Sequence, residues 1–258
     1  MDHSSIEDLV AKCVRELEAR GLVVPGVLGV PGVPGASGVP GVTGAFPAPP
    51  HDRPAGGAGG WAVPVGVSSR HVHLCARDFE ALFGVESAKR GLEKLRDLSQ
   101  PGQFAAKEMV ALVGPKGSIH GVRVLGPLRS RTQIEISRTD GFALGVSPPV
   151  RDSGDVDGSV AMTLVGPAGA VNLKEGVIIA TRHIHMSPRD ASSWGLRDGD
   201  RVDVEVEGVR SLVFRGVLVR VREDFQLEMH VDTDEANAAL LRTGDVVKVI
   251  GRSSGGNG

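Results

Sequence analysis

Residues 68–84 have the sequence SSRHVHLCARDFEALFG, and residues 180–196 have the related sequence ATRHIHMSPRDASSWGL. Both segments contain Arg-His, an apolar residue, a second histidine and another apolar residue, and both reach Arg-Asp two residues later. Further along, TQIEIS at 132–137 and FQLEMH at 225–230 also match, as Gln-apolar-Glu-apolar. The repeat predicts two related domains, each beginning with a histidine pair and closing with a strand of similar pattern.

From residue 62 onward the chain alternates short apolar runs with Gly, Pro and Asp turns, a pattern typical of short β-strands. Many short strands favour barrels or sandwiches. Helical stretches are few. They are expected at residues 76–83, 87–96, 188–194 and 234–241. The sequence therefore predicts a mainly β fold with small helical caps.

The N-terminal residues differ in composition from the rest of the chain. Residues 4–20 place apolar side chains at helical spacing and predict a short amphipathic helix. Glycine then recurs at every third position from Gly26 to Gly44, where a flexible Gly/Pro-rich linker is favoured over a collagen triple helix. The expected units are a helix at 1–21, a disordered linker at 22–60, a first β domain at 61–171, a second at 172–251 and a disordered tail at 252–258. The first strand, AVPVGV, is also compatible with pairing in the second domain.

Composition excludes several classes of partner. The chain of 258 residues carries 29 basic and 31 acidic residues, so nothing indicates binding to nucleic acid or to an anionic membrane. No apolar run approaches the roughly 20 residues that span a bilayer, and no secretory signal is recognisable. Two distant cysteines fit a reducing cytoplasm.

Two histidine pairs carry the strongest chemical signal: His71 with His73, and His183 with His185. Because side chains alternate along a strand, both rings of a pair point to the same face, about 6.5 Å apart. Neutral imidazole binds Zn²⁺, and catalytic zinc typically has three protein ligands and one open position. Backbone groups alone can also satisfy such a pair, but its repetition favours metal binding.

The third ligand of each set is expected on the strand that closes each repeat. His230 completes a set with the second pair. The position that matches His230 in the first repeat is Ser137, so the third ligand there must come from elsewhere, and Glu135 is the nearest oxygen donor. Cys75 follows the first pair closely and is interpreted first as a buried thiol.

Two further segments suggest an anion site. Arg129 and Arg131 come shortly before the predicted ligand Glu135, and the planar guanidinium of either is suited to a phosphate. A solvated charge at a strand edge is the alternative for each. In SPPVRDSGDVDGS, the hydroxyl of Ser153 and the backbone of Gly154 are candidates for lining an anion or cofactor phosphate, or belong to an ordinary inter-domain loop.

Taken together, the motifs SSRHVHL, KEMVALVGPKG, VLGPLRSRTQIEIS, PPVRDSGD, ATRHIHMSP and MHVDTDEAN resemble the PduL-type phosphate acyltransferases of bacterial microcompartments, over about Val63 to Val249. The resemblance implies two related β-barrel domains capped by short helices, with a two-metal site, usually zinc, between them. It also implies a reversible reaction in which acyl-CoA and phosphate give acyl phosphate and coenzyme A. Propionyl-CoA is the favoured acyl donor, in the context of propanediol degradation.

The resemblance also implies roles for individual residues. One zinc ion would bind His71, His73 and Glu135. The other would bind His183, His185 and His230. Arg129 would act as the catalytic, phosphate-contacting residue, and Ser153 is the further substrate-binding candidate.

The N-terminal residues resemble the encapsulation helix and linker of microcompartment enzymes. Residues 1–21 are therefore expected to bind shell or core proteins and to direct the enzyme to the microcompartment lumen. A homo-oligomer is expected. Neither nucleic acid nor membrane is expected as a partner.

Two other functions stay open from the residues alone. A histidine pair at a strand end also begins the barrels of metal-dependent amidohydrolases, but that fold needs long helices that the sequence does not predict. A non-catalytic assembly protein with structural metal is the second alternative. Closed four-coordinate sites would favour that second alternative, whereas an open three-ligand site favours catalysis.

Overall fold

The computed structural model describes residues 60–253. The predicted helix at 1–21, all of the linker at 22–60 except Gly60, and residues 254–258 of the predicted tail lie outside the described residues. Within this part no helix is long and apolar enough to cross a membrane. The described residues confirm the expected fold class, since they form two β-barrels with short helices between the strands.

The first barrel is a ring of six strands. In ring order these are β4 (Phe104–Val113), β5 (Ser118–Gly126), β2 (His71–His73), β6 (Gln133–Glu135), β9 (Ala170–Ala180) and β8 (Val160–Val165), which pairs again with β4. Two short strands, β3 (Lys94–Asp97) and β7 (Val150–Arg151), pair at the outer edges of β4 and β9. The core of the first barrel is built of aliphatic side chains together with Phe79 and Met162.

The second barrel is also closed by six strands. In ring order these are β1 (Trp61–Ser68), β13 (Glu228–Asp232), β10 (His183–Met186), β12 (Leu212–Val221), β11 (Arg201–Val206) and β14 (Val246–Arg252). The pairing repeats that of the first barrel. Each histidine strand is parallel to one neighbour, β5 or β12, and antiparallel to the other, β6 or β13.

Each strand that leads into a histidine pair belongs to the barrel opposite the one that contains the pair. Strand β1 precedes β2 by two residues but pairs with β13 and β14 of the second barrel. Strand β9 precedes β10 by two residues but pairs with β6 and β8 of the first. The pairing therefore differs from the expected bounds of 61–171 and 172–251, and it selects the alternative in which the first strand joins the second barrel. Strand β14 also extends to Arg252, the first residue of the expected tail.

Within residues 60–253, five short helices connect the strands: α1 (Ala76–Phe83), α2 (Val85–Arg90), α3 (Arg138–Leu144), α4 (Pro188–Ser193) and α5 (Thr233–Ala239). Helix α1 has the predicted bounds, and α4 and α5 lie within a few residues of theirs. The helix predicted at 87–96 is wrong in its second half, because Gly91 ends α2 at a φ of 79° and β3 follows.

Helix α3 was not predicted. Its signal is a capping box in which Ser137 and Asp140 bond to each other's backbone N–H groups. Gly141 obscures that signal, since glycine is unfavourable inside helices. A side chain there would place its Cβ 2.9 Å from the Val146 carbonyl oxygen, so close backbone packing requires the glycine.

Candidate metal and anion site

Strand alternation places all four paired histidines outside the barrel cores. Val72 and Leu74 of the first segment lie in one core, and Ile184 and Met186 of the second lie in the other. The histidines, which alternate with these core residues along each strand, point to the opposite face. The ring centroids are 5.0 Å apart in the first pair and 4.6 Å apart in the second. Each pair thus presents two rings to the same small volume, as predicted.

The antiparallel neighbour of each histidine strand supplies the third candidate ligand. His71 lies opposite Glu135, and His183 lies opposite His230. Glu135 is therefore the structural equivalent of His230. The predicted match between Ser137 and His230 is wrong, because the similar segments TQIEIS and FQLEMH are offset by two residues in the fold. Two residues is one strand period, so the offset preserves which side chains face the site.

The structure brings the predicted ligands together in two sets. One set consists of His71, His73 and Glu135, and the other of His183, His185 and His230. Within each set, one ligand atom from every residue lies within 4.8 Å of the others. The Nε2 atom of His71 lies 3.4 Å from a carboxylate oxygen of Glu135. Both sets have the composition and size of a three-ligand metal site.

Hydrogen bonds fix the tautomers of the first histidine in each pair. Nδ1 of His71 donates to the Ser69 carbonyl at 2.8 Å, and Nδ1 of His183 donates to the Thr181 carbonyl at 2.7 Å. Each Nε2 then carries the lone pair that a metal needs. The Nδ1 atoms of His73 and His185 are buried without a hydrogen-bond partner among the described residues. Buried polar atoms normally have partners, so these two atoms fit a bound cation.

The electrostatics of the histidines also suit metal binding. Burial lowers the pKa of His183 to about 4, with a contribution from His230. Burial lowers the pKa of His185 to about 2, assisted by the charges of His183 and His230. Burial also holds the pKa of His73 well below its usual value. These rings are neutral near pH 7, which is the form that binds metal.

Glu135 is held as a carboxylate. Burial alone would raise its pKa, but the charges of His71 and His73, a hydrogen bond from Ser153 and the charge of Arg129 together lower it to about 2. Its Oε1 atom accepts hydrogen bonds from Ser153 Oγ at 2.8 Å and from Gln133 Nε2 at 2.5 Å. The charge of Glu135 also acts on His183, so the two ligand sets lie close enough to interact.

The structure separates the two candidate arginines. Arg129 Nη1 donates to Ser153 Oγ at 3.2 Å, which places both beside Glu135. Arg131 instead pairs with Asp157 and Glu175 at 2.5 and 2.6 Å. The backbone N–H of Gly154 donates to Gln133, which holds the loop against the site. Arg129 and Ser153 therefore line the site, and Arg131 does not.

Several residues at the site were missed by sequence reasoning. Arg70 pairs with Asp140 at 2.7 Å, and its equivalent Arg182 pairs with Glu235 at the same distance. Each acid is the third residue of its helix, α3 or α5, and closes the capping box there. The arginine of each histidine motif therefore holds the helix that follows the third ligand. The sequence signal for these contacts was the arginine that precedes the first histidine in both copies of the repeat.

Glu228 and its partners were also missed. Its side chain is buried, lies opposite His185 and accepts a hydrogen bond from His230 Nε2 at 2.7 Å. Cys75 belongs to neither ligand set. Its backbone N–H donates to Thr132 Oγ1, and the residue immediately precedes α1 as a partly buried free thiol.

Comparisons with known proteins agree on one family. A family model described as phosphate propanoyltransferase matches residues 64–242. A phosphate propanoyltransferase of Thermotoga maritima is 60% identical over 187 residues, covering 72% of this chain and 88% of the relative. Those of Shewanella putrefaciens and Rhodopseudomonas palustris are 53% and 52% identical, covering 72% of this chain and 86% and 81% of the relatives. The matched region contains both ligand sets, Arg129 and Ser153.

Proposed function

The chain belongs to the phosphate propanoyltransferase family and is an acyltransferase of that type; we propose that its activity depends on metal bound by the two histidine sets. The reaction would exchange phosphate and coenzyme A on a short acyl group. Acyl-CoA and phosphate would give acyl phosphate and coenzyme A, and the reverse. Zinc is the favoured metal, with one ion for each set.

The observation that carries this proposal is the convergence of two ligand sets with one arginine and one serine. Glu135 belongs to the first set, is hydrogen-bonded to Ser153, and acts electrostatically on His183 of the second set. Ser153 in turn accepts a hydrogen bond from Arg129. A small anion bound at Arg129 would therefore lie next to the first ligand set, whose Glu135 also acts on the second set.

Arg129 is suited to holding phosphate during the reaction. Its planar guanidinium can donate two parallel hydrogen bonds to phosphate oxygens. Ser153 Oγ accepts a hydrogen bond from the Arg129 guanidinium and donates its one proton to Glu135, so it orients Arg129 beside the first ligand set. Positioning one phosphate oxygen against the thioester carbon turns a bimolecular encounter into an oriented one. That oxygen forms the new bond to the acyl carbon as the carbon–sulfur bond breaks, and the thiolate leaves as coenzyme A.

The bound metal would polarise the thioester carbonyl or stabilise the departing thiolate. His71, His73 and Glu135 would hold one ion, and His183, His185 and His230 the other. The mechanism needs no covalent nucleophile from the protein. Cys75, which lies in neither ligand set, is accordingly given no part in it.

The favoured acyl donor is propionyl-CoA, as the names of the relatives suggest for those proteins. We further propose that residues 1–21 bind shell or core proteins of a microcompartment and that the enzyme works in its lumen as a homo-oligomer. Support for the binding to shell or core proteins comes from the amphipathic sequence pattern of those residues.

A thiol-release assay tests the function. The purified protein would be mixed with propionyl-CoA, with and without phosphate, before and after chelator treatment and after zinc is restored. Release that depends on phosphate, falls with the chelator and returns with zinc is expected. Release without phosphate would favour a hydrolase. No release from propionyl-CoA or other short acyl-CoA substrates would favour an assembly protein.

A further inference from the structure

The polar residues that lie opposite the two histidine pairs differ at both equivalent positions. Each histidine pair lies opposite two polar residues of the antiparallel neighbour: Glu135 and Gln133 in the first barrel, His230 and Glu228 in the second. Glu135 and His230 are equivalent ligands. The amide of Gln133 therefore occupies the position that a carboxylate, Glu228, occupies in the second barrel.

Glu228 is tightly enclosed. Its Oε2 atom accepts hydrogen bonds from His230 Nε2 at 2.7 Å, from Gln100 Nε2 at 3.3 Å, and from Ser99 Oγ. On the other side, a Cβ at Gly66 would lie 2.9 Å from the Glu228 carboxyl carbon, so the glycine leaves room for it. The carboxylate is thus held in one orientation by groups on several sides.

The enclosure joins the two barrels. Ser99 and Gln100 lie between β3 and β4 of the first barrel, whereas Glu228 lies on β13 of the second. The buried Gln100 side chain also bonds to both the carbonyl and the N–H of Gln226, at 3.1 and 3.2 Å. The orientation of Glu228 therefore depends on the packing of one barrel against the other.

Charge distinguishes the two sets. The first set contains a carboxylate, so a divalent ion bound there would leave a net charge of about +1 by simple addition. The second set consists of three imidazoles, and the same ion would leave about +2. A carboxylate that accepts a hydrogen bond from a ligating histidine fixes its tautomer and makes it a stronger ligand.

We propose that Glu228 is a positioning residue for the second ligand set: it orients His230 and supplies beside that set the negative charge that Glu135 supplies within the first. This inference rests on the proposed function, since it presumes that His183, His185 and His230 bind metal. Glu228 acts through His230 and does not itself contact the substrate.

The test is the variant Glu228→Gln, which keeps the size and an accepting oxygen but removes the charge. Zinc affinity of the chelator-treated protein would be measured by competition with a chromophoric chelator. One of two sites is expected to weaken by about 10- to 100-fold, with the other unchanged. In the cobalt-substituted protein, the visible spectrum is expected to shift. The matched control is Glu223→Gln, because Glu223 is exposed and the substitution is the same.

Wild-type affinity at both sites and an unchanged cobalt spectrum in Glu228→Gln would overturn the proposal while leaving the proposed function intact. A wild-type protein that binds no zinc would overturn both. If Glu228→Gln does not fold, Ser99→Ala decides, since it removes one donor and keeps the carboxylate. A smaller loss of affinity at one site is then expected, and no loss would count against the proposal.

Discussion

The Arg129 guanidinium is partly buried beside the first ligand set. Burial lowers its pKa, the charge of Glu135 raises it, and the charge of Arg220 lowers it again. Arg220 also lowers the pKa of His183 and His185. An anion bound at Arg129 would offset the repulsion between the two arginine charges. The surroundings of Arg129 therefore favour phosphate on electrostatic grounds as well as on geometry.

Replacing Arg129 with alanine is expected to raise the phosphate KM and to lower kcat. Charge-assisted hydrogen bonds contribute about 2 to 3 kcal/mol, which corresponds to a loss of roughly 30- to 150-fold in kcat/KM. Steady-state kinetics with varied phosphate measures the change, and zinc content should stay at the wild-type level. Arg131→Ala is the control, because Arg131 pairs with Asp157 and Glu175 away from the site. Retained activity in Arg129→Ala would remove the arginine from the mechanism.

Replacing His183 with alanine is expected to abolish one metal site and the activity together, because a three-ligand set cannot hold zinc well with two ligands. Zinc per chain would be measured by elemental analysis alongside the thiol-release rate. His120→Ala is the matched control, since His120 is exposed on β5 and belongs to neither set. A His183→Ala protein with full zinc content would contradict the assignment.

At the scale of secondary-structure elements, helix caps hold the strands that carry the third ligands in place. Glu135 ends β6, and Ser137 begins the capping box of α3 two residues later. Arg70, next to the first histidine of the pair, bonds to Asp140 in the same cap. The second barrel repeats this with Arg182, Asp232 and Glu235. The strand that carries the ligand is thus tied to the histidine strand through the helix that follows it.

The α3 cap can be tested by stability. Ser137→Ala removes the acceptor of the Asp140 N–H and is expected to lower the free energy of unfolding by about 1 kcal/mol. Urea denaturation followed by circular dichroism measures it. Ser192→Ala, at an exposed position inside α4, is expected to change stability by less than about 0.5 kcal/mol. Equal stability of Ser137→Ala and wild type would show that the cap contributes nothing.

Sequence alone could predict both histidine pairs, because a period of two and an exact repeat of residue types are local properties. It could also place Glu135 and His230 near them. It could not align those two ligands correctly, since Gln-apolar-Glu occurs in both strands and the offset of two residues keeps the same face. It gave no signal for Ser99, Gln100 and Glu228, which meet only because one barrel packs against the other.

At the scale of the whole molecule, the first barrel is formed by one continuous segment from β2 to β9, whereas the second barrel, β10 to β14, is complete only with β1. Local patterns indicate that these segments are strands, but the choice of partner depends on long-range pairing. This arrangement explains why each histidine pair comes directly after the chain passes from one barrel to the other. It also explains why domain bounds drawn along the sequence differ from those of the sheets.

The metal-free protein is expected to lose stability as the pH falls. The folded-state pKa of His183 is about 4, below the ordinary value of about 6.5, so between these values the unfolded chain binds a proton that the folded chain does not. The contribution of the neutral His183 ring to the free energy of unfolding is fully present above pH 6.5. It decreases toward pH 4, by about 1.4 kcal/mol per pH unit for one such proton. Glu135 also makes the protein less stable as the pH falls, between its ordinary pKa and about pH 2.

Denaturant titrations of the metal-free protein at several pH values measure this slope. In His183→Ala the slope between pH 6.5 and 4 should decrease, while that of His120→Ala should match the wild type. An unchanged slope in His183→Ala would show that the neutral state of this ring does not contribute to the pH dependence.

The central claim is that the two ligand sets bind the metal on which acyl transfer depends. A zinc titration of chelator-treated protein, with bound zinc per chain and phosphate-dependent thiol release measured in the same samples, tests it most directly. The account predicts that activity is absent without metal, rises as zinc binds and reaches its maximum at two ions per chain. Full phosphate-dependent activity in protein shown to contain no metal would contradict it.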